Sequence, residues 1–203
     1  MSALIIVDLQ NDFLPGGSLA VAEGNDIIPI VQKLTDSGNY KFVVATKDSH
    51  PSDHTSFASN HSARPFTSIA FKNPSTGEDT EETVWPVHCV EGTSGADYPP
   101  SFDSSNVQAL VRKGYLQDRE YYSGFEDVWG MHKTELHDLL QEKGIEEVDV
   151  VGLAFDYCVF NTAKDAAKRG YKTSVLREAT RAVDPLSEQK IVASLEAAGV
   201  RVV

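Results

Sequence analysis

Short, continuous apolar runs alternate along this chain with stretches whose apolar residues recur every three or four positions. Ala3-Leu4-Ile5-Ile6-Val7 is the first run, and it stops abruptly at Asp8. An apolar run with no polar alternation predicts a strand buried on both faces. The stretch from Asn11 to Ser18, with Pro15-Gly16-Gly17, reads as a loop. Ile27, Ile28, Ile30, Val31 and Leu34 then follow helical spacing up to a stop at Ser37-Gly38-Asn39. Further strands are expected at Lys41–Thr46, Val107–Arg112, Val148–Leu153, Lys172–Leu176 and Val200–Val203. Helices are expected around Leu136, Leu139 and Leu140, from Asp156 through Ala163, Ala166 and Ala167, and from Ser187 to Ala198. In the second of these, Asp156 is expected to cap the helix.

Buried strands alternating with helices predict an α/β fold, a doubly wound, mostly parallel six-stranded sheet with helices on both faces. The length of 203 residues fits a single domain over 1–203. The segment at about 51–105 breaks the alternation. It carries six prolines, scattered apolar residues and the acidic run Glu78-Asp79-Thr80-Glu81-Glu82, and it is expected to be a long irregular insertion with that run at a solvated loop tip. Trp85-Pro86-Val87-His88-Cys89-Val90, inside the same segment, is too apolar and aromatic for idle surface.

In open α/β sheets ligands bind beyond the carboxyl ends of the strands, where the strand order reverses. Asp8, Asp48, Lys113 and Cys158 each fall at or just after a predicted strand end. Parallel strands would gather all four on one rim. Cys158 falls in the first turn of a helix, where the positive helix end favours thiolate. With an acid to accept a proton and a lysine to tune both, this is the makeup of nucleophilic catalysis. In extended chain Asp48 and His50 point the same way and can close on one ion, with His88 as a third ligand. One carboxylate and two imidazoles leave coordination positions open, as in a catalytic metal site. Zn, Fe and Mn all suit such donors. His54, His61, His132 and His137 are expected to be surface or packing residues, His132 against Trp129, and Cys89 to pack in the core.

Composition narrows the partners. Eighteen Lys and Arg against 30 Asp and Glu give a formal charge of -12, which works against nucleic acid and anionic membrane surfaces. No apolar run reaches the roughly 18 residues of a membrane span, and no targeting signal is visible, so a cytoplasmic location, the nucleus included, is expected. Two cysteines, Cys89 and Cys158, are too few for a disulfide framework. Subunit number stays open, a homo-oligomer included.

The blocks Ile6-Val7-Asp8-Leu9-Gln10-Asn11-Asp12-Phe13, Thr46-Lys47-Asp48-Ser49-His50-Pro51, Trp85–Val90, Lys113-Gly114-Tyr115 with Asp118–Ser123, and Val151–Ala154 through Tyr157-Cys158-Val159 stand in one order along nearly the whole chain. In them the chain resembles the nicotinamidases of the isochorismatase-like cysteine hydrolase family. The resemblance implies a catalytic triad of Asp8, Lys113 and Cys158, and a divalent metal, zinc before iron or manganese, on Asp48, His50 and His88. It also implies a non-proline cis bond between Leu153 and Ala154, backbone oxyanion donors at Ala154 and Cys158, and a ring pocket lined by Phe13, Trp85 and Tyr157. The implied reaction is hydrolysis of nicotinamide to nicotinate and ammonia in NAD salvage, with pyrazinamidase activity beside it. Glu120 is a candidate to orient a metal-bound water, or else to pair, like Asp118, with Arg119. Ser49 stands where similar proteins often carry Trp, which implies looser access to the metal. Another amide or carbamoyl hydrolase of the same fold, or a silent metal-stabilised interaction module, is the alternative.

Overall fold

The apolar runs do become the centre of the molecule. A computed structural model describes all 203 residues. Its main sheet contains β1 (Ser2–Val7), β2 (Phe42–Asp48), β5 (Ala109–Lys113), β6 (Glu147–Leu153), β7 (Lys172–Arg181) and β8 (Arg201–Val202), and a separate hairpin contains β3 (Thr67–Lys72) and β4 (Asp79–Val84). The helices are α1 (Ile28–Asp36), α2 (Leu136–Glu142), α3 (Phe160–Lys168) and α4 (Glu188–Ala197). The main sheet has the order β5-β2-β1-β6-β7-β8, and every pairing in it is parallel. The chain winds outward from β1 through β2 to β5, then returns to β6 and winds the other way. The order therefore reverses between β1 and β6, which fixes where a ligand site belongs.

Two-residue periodicity explains how one apolar run serves two cores. Ala3, Ile5 and Val7 pack with Leu136, Leu140, Ala163, Ala166 and Leu195, which places α2, α3 and α4 on one face. Leu4 and Ile6 pack with Ile28 and Val31 of α1 on the other face. Both faces are covered, as the sequence predicts.

Three elements differ from expectation. β7 does not end at Leu176 but continues through Glu178, Ala179 and Thr180 to Arg181. Beyond an irregularity between Val150 and Gly152, Gly152 pairs with Thr180 and Leu153 with Arg181. Apart from Ala179, which is buried in the core, the extra residues are polar, and Thr180 and Arg181 join the sheet by backbone pairing that the side-chain pattern does not announce. β5 begins at Ala109 rather than Val107 and includes Lys113. Inside 51–105, β3 and β4 pair antiparallel, Thr67 opposite Val84 and Lys72 opposite Asp79. The acidic run is thus mostly strand: Thr80 and Glu82 are half-buried while Asp79 and Glu81 face water, the alternation of a strand with one covered side. No helix is long and apolar enough to cross a membrane.

Candidate active site

Four strand ends build the site. β1 ends at Val7, and Asp8 takes a left-handed φ of 47° that turns the chain off the sheet. β2 and β5 end side by side, with Asp48 paired in register to Lys113. β6 leads through Ala154 into a π-helical turn, Phe155–Val159, that carries Cys158 into α3. The Leu153–Ala154 peptide is cis, as the resemblance implies. Lys113 is the hub. Its Nζ lies 2.9 Å from Asp8 Oδ2, 2.5 Å from Asp48 Oδ1 and 3.5 Å from Cys158 Sγ, and donates to the Tyr121 carbonyl at 3.0 Å. Asp8 and Lys113 are fully buried, and Asp48 and Cys158 nearly so. Thr46 Oγ1 donates to Asp8 Oδ1 at 2.6 Å, which leaves Oδ2 facing the ammonium and the sulfur. A carboxylate oxygen of Asp8, one of Asp48 and the Cys158 sulfur all lie within 4.8 Å of one another.

The electrostatics separate the two acids. Burial raises the pKa of Asp8, and the attraction of Lys113 does not cancel it. Asp48 is also buried, yet Lys113 and then His50 hold it well below the ordinary carboxylate range. Two neighbouring acids pushed apart in this way fall into different roles, one a fixed anion and the other a proton acceptor. For Lys113, burial opposes the charge, but Asp48 and Asp8 outweigh it and the ammonium is firmly held. Cys158 departs from expectation. Burial, with Asp8 and Asp48 behind it, pushes the thiol up despite Lys113. The local helix start is outweighed by the desolvated pocket, so the sulfur must lose its proton to a base when it reacts. Asp156 does not cap the helix either: its carboxylate accepts the Val183 and Asp184 N–H groups, both at 2.9 Å, tying the Phe155–Val159 turn to the segment after β7.

Beside Asp8, Lys113 and Cys158, His50 Nε2 lies 3.7 Å and His88 Nε2 4.0 Å from Asp48 Oδ2. Each ring's Nδ1 meets a backbone carbonyl at 2.8 Å, Gly114 for His50 and Pro86 for His88. Those acceptors place the hydrogen on Nδ1 and turn both Nε2 lone pairs toward Asp48. His50 Nε2 is buried with no hydrogen-bond partner, an orphan that a cation would satisfy. A side chain at Gly114 would come within 2.4 Å of His50 Cε1, at a φ of 71° that also favours glycine. The residues fit a divalent metal. Burial lowers His88 to about 4, keeping it neutral, whereas the Asp48 carboxylate raises His50 against burial. His54 packs at a tilt against His50, ring centroids 4.1 Å apart, but Ser56 Oγ and the Arg119 carbonyl occupy its two nitrogens, so it is packing and not a fourth ligand. Cys89 is fully buried in the core, as expected. His132 packs differently from expectation: its Nδ1 meets the Tyr121 hydroxyl at 2.7 Å, rather than packing on Trp129.

A narrow pocket opens onto these groups. Phe13, Trp85 and Tyr157 line it as expected, with Trp85 and Tyr157 edge to face at 4.8 Å. Leu19, Tyr122 and Val183 complete the apolar wall without having been assigned from sequence. Tyr122 lies in the Arg119–Ser123 block, a signal that was available. Val183 gives none, because the sequence places the end of β7 at Leu176, five residues before its actual end at Arg181. Glu120 also faces the pocket; one oxygen accepts the Tyr121 N–H at 2.8 Å. Arg119 instead pairs with Asp118 at 2.8 Å and Asp127 at 3.3 Å.

Residues 2–203 match the isochorismatase domain. The chain belongs to the isochorismatase family. Within that family it is 42% identical to the nicotinamidase of Saccharomyces cerevisiae, over all of this chain and 99% of the relative. The structure superposes on yeast nicotinamidase Pnc1p bound to the inhibitor nicotinaldehyde with a TM-score of 0.95, at 40% identity, covering 100% of this chain and 99% of the other. It superposes on the pyrazinamidase of Pyrococcus horikoshii in complex with zinc with a TM-score of 0.80, at 32% identity, covering 100% and 98%. Isochorismatase-family membership therefore covers the whole described chain.

Proposed function

We propose that the protein is a nicotinamidase, an amidohydrolase that splits nicotinamide into nicotinate and ammonia through a thioester on Cys158, in the cytoplasmic salvage of NAD. The observation that carries this reading is the Lys113 ammonium, 2.9 Å from Asp8 and 3.5 Å from the Cys158 sulfur, beside the Asp48/His50/His88 cradle. Asp8 takes the thiol proton as sulfur bonds to the carboxamide carbon. The backbone N–H groups of Ala154 and Cys158 receive the oxyanion, where losing one such donor typically costs about 2.7–4 kcal/mol. Asp8 returns the proton to nitrogen, the C–N bond breaks and ammonia leaves. Water, deprotonated by Asp8, then attacks the thioester carbon, the C–S bond breaks, Asp8 returns the proton to sulfur to restore the thiol, and nicotinate leaves. Lys113 keeps its charge throughout and holds the Asp8 carboxylate toward the sulfur.

Asp48, His50 and His88 would hold a divalent cation, zinc in the first instance. Such an ion supplies an electrophilic anchor for a ring nitrogen, fixing the substrate's orientation. Phe13, Trp85 and Tyr157 line a pocket suited to a flat ring, so pyrazinamide is a second substrate. Carbamoyl hydrolysis, the rival reaction on this fold, has no use for three ring-facing metal ligands.

Ammonia release from nicotinamide tests the reading. Wild-type protein turns over, chelator suppresses turnover, and Cys158→Ala abolishes it with zinc uptake unchanged. Turnover by the Cys158→Ala variant would overturn the thioester route, and no ammonia from zinc-loaded wild type would overturn the activity itself.

A further inference from the structure

The end of β1 contains a substitution of side chain for backbone. Asp8 N–H still donates to the Thr46 carbonyl at 3.2 Å, as a parallel ladder requires. Continued one step, that ladder would give the Asp8 carbonyl to the Asp48 N–H, and the residue 10 N–H to the Asp48 carbonyl. Neither bond forms. The left-handed turn at Asp8 swings the chain away, and the Asp8 carbonyl instead accepts the Gln10 N–H at 2.8 Å. Both missing positions are filled by one side chain. Gln10 Oε1 accepts the Asp48 N–H at 2.9 Å, and Gln10 Nε2 donates to the Asp48 carbonyl at 2.8 Å. The second Nε2 hydrogen goes to the Ala96 carbonyl at 3.0 Å, in the turn beyond His88. Gln10 is fully buried, so each of these bonds replaces water that is absent.

We infer that Gln10 is a positioning residue for Asp48, its carboxamide continuing the sheet where β1 leaves it and thereby aiming one carboxylate at both Lys113 and the two imidazoles. The inference rests on the metal site proposed above. The geometry demands a carboxamide. The turn at Asp8 is what frees the Asp8 side chain to face the sulfur, and without a replacement it would strand the peptide groups flanking the Asp48 Cα. A carboxylate at position 10 would set an acceptor against the Asp48 carbonyl, and a thioether would supply neither bond. Partners that orient a ligating group usually cost 10–100-fold in metal affinity when removed.

The test uses chelator-stripped full-length protein and Zn²⁺ titrated against a competing chromogenic chelator. Gln10→Glu and Gln10→Met should each weaken Zn²⁺ binding at least tenfold and raise KM more than they lower kcat. Asn11→Ala, which removes a neighbouring bond to the Ser94 carbonyl, should leave affinity within twofold. Gln10 variants that bind Zn²⁺ like wild type would overturn the inference. Wild type that binds no Zn²⁺ would overturn the metal site instead. In that case, or if the variants do not fold, hydrogen exchange in the stripped wild type decides. Slow exchange of the Asp48 amide and the Gln10 carboxamide upholds the clamp, and fast exchange of both ends it.

Discussion

Two polar regions of this molecule stand on opposite principles: the carboxyl rim of the main sheet and the β3–β4 hairpin. On the rim Asp8, Asp48, Lys113 and Cys158 are withdrawn from water, and each answers another's charge or hydrogen bond. On the hairpin Asp79 and Glu81 stay in water, and the fold of the segment hangs on a small cluster of Ala58, Phe71 and Val84. Removing a charge from the rim strands its partners, whereas in the hairpin carbon is indispensable and charge is not. The rim can therefore afford reactivity only as a complete set.

Lys113→Met gives the sharpest break. It leaves two buried carboxylates with oxygens within 4.8 Å of each other and no cation between them. Breaking a buried pair in this way costs about 3–5 kcal/mol. We expect that loss in urea unfolding, and a fall of about 10³-fold or more in kcat/KM for ammonia release, at the upper end of what one acid–base partner contributes. Adding Asp8→Asn should restore part of the stability and none of the activity. A single Lys113→Met variant as stable as wild type would mean that the rim is not a mutually compensated set.

The same contrast governs how much can be read from sequence. Rim residues are legible because each closes an apolar run: Val7 is followed by Asp8, and the run through Val111 by Lys113. Position after a strand is a local signal, and parallel order turns it into proximity. The protonation of Cys158 is not local. Its place near a helix start favours thiolate, but pocket walls from distant segments, Trp85 and Tyr122 among them, remove the water that would make thiolate cheap. Gln10 was visible as a letter in a block, yet its task depends on a left-handed turn at Asp8 that an aspartate does not declare. The hairpin is hidden because Thr67–Lys72 and Asp79–Val84 alternate around few apolar residues, and the acidic face of the second reads as loop. β7 beyond Leu176 is hidden for the related reason that polar residues, Thr180 and Arg181 among them, join the sheet through their backbones.

A smaller effect is expected from Phe71→Ala. Phe71 is nearly buried and is the largest member of its cluster, so truncation should cost about 3 kcal/mol, the low end for a core phenylalanine. The hairpin meets the pocket wall along the last residues of β4, where Thr83 lies against the Tyr157 side chain and Val84 leads into Trp85. KM for nicotinamide should therefore rise a few-fold, while the rate of Cys158 alkylation by iodoacetamide stays within twofold of wild type. An alkylation rate that changes tenfold would show that hairpin packing reaches the triad and that the two regions are not separate.

The smallest effect tests whether any charge crosses between them. Glu82 is half-buried on β4, and burial, followed by the charge of Glu120 on the pocket side, raises its pKa from 4.5 to about 7. A carboxyl whose folded pKa lies above its unfolded value favours the folded state while protonated. Its contribution is complete below about pH 4.5 and is lost as pH rises through 7. Glutamine copies the neutral acid at every pH. Glu82→Gln should therefore leave Tm unchanged at pH 4 and raise it by a few degrees at pH 8, since screening at a site open to water keeps the gain under about 1 kcal/mol. In a Glu120→Gln background the pH 8 gain should shrink, because part of the repulsion on Glu82 is already gone. A gain of equal size in both backgrounds would assign the whole shift to burial within the hairpin and leave the rim and the hairpin electrostatically independent.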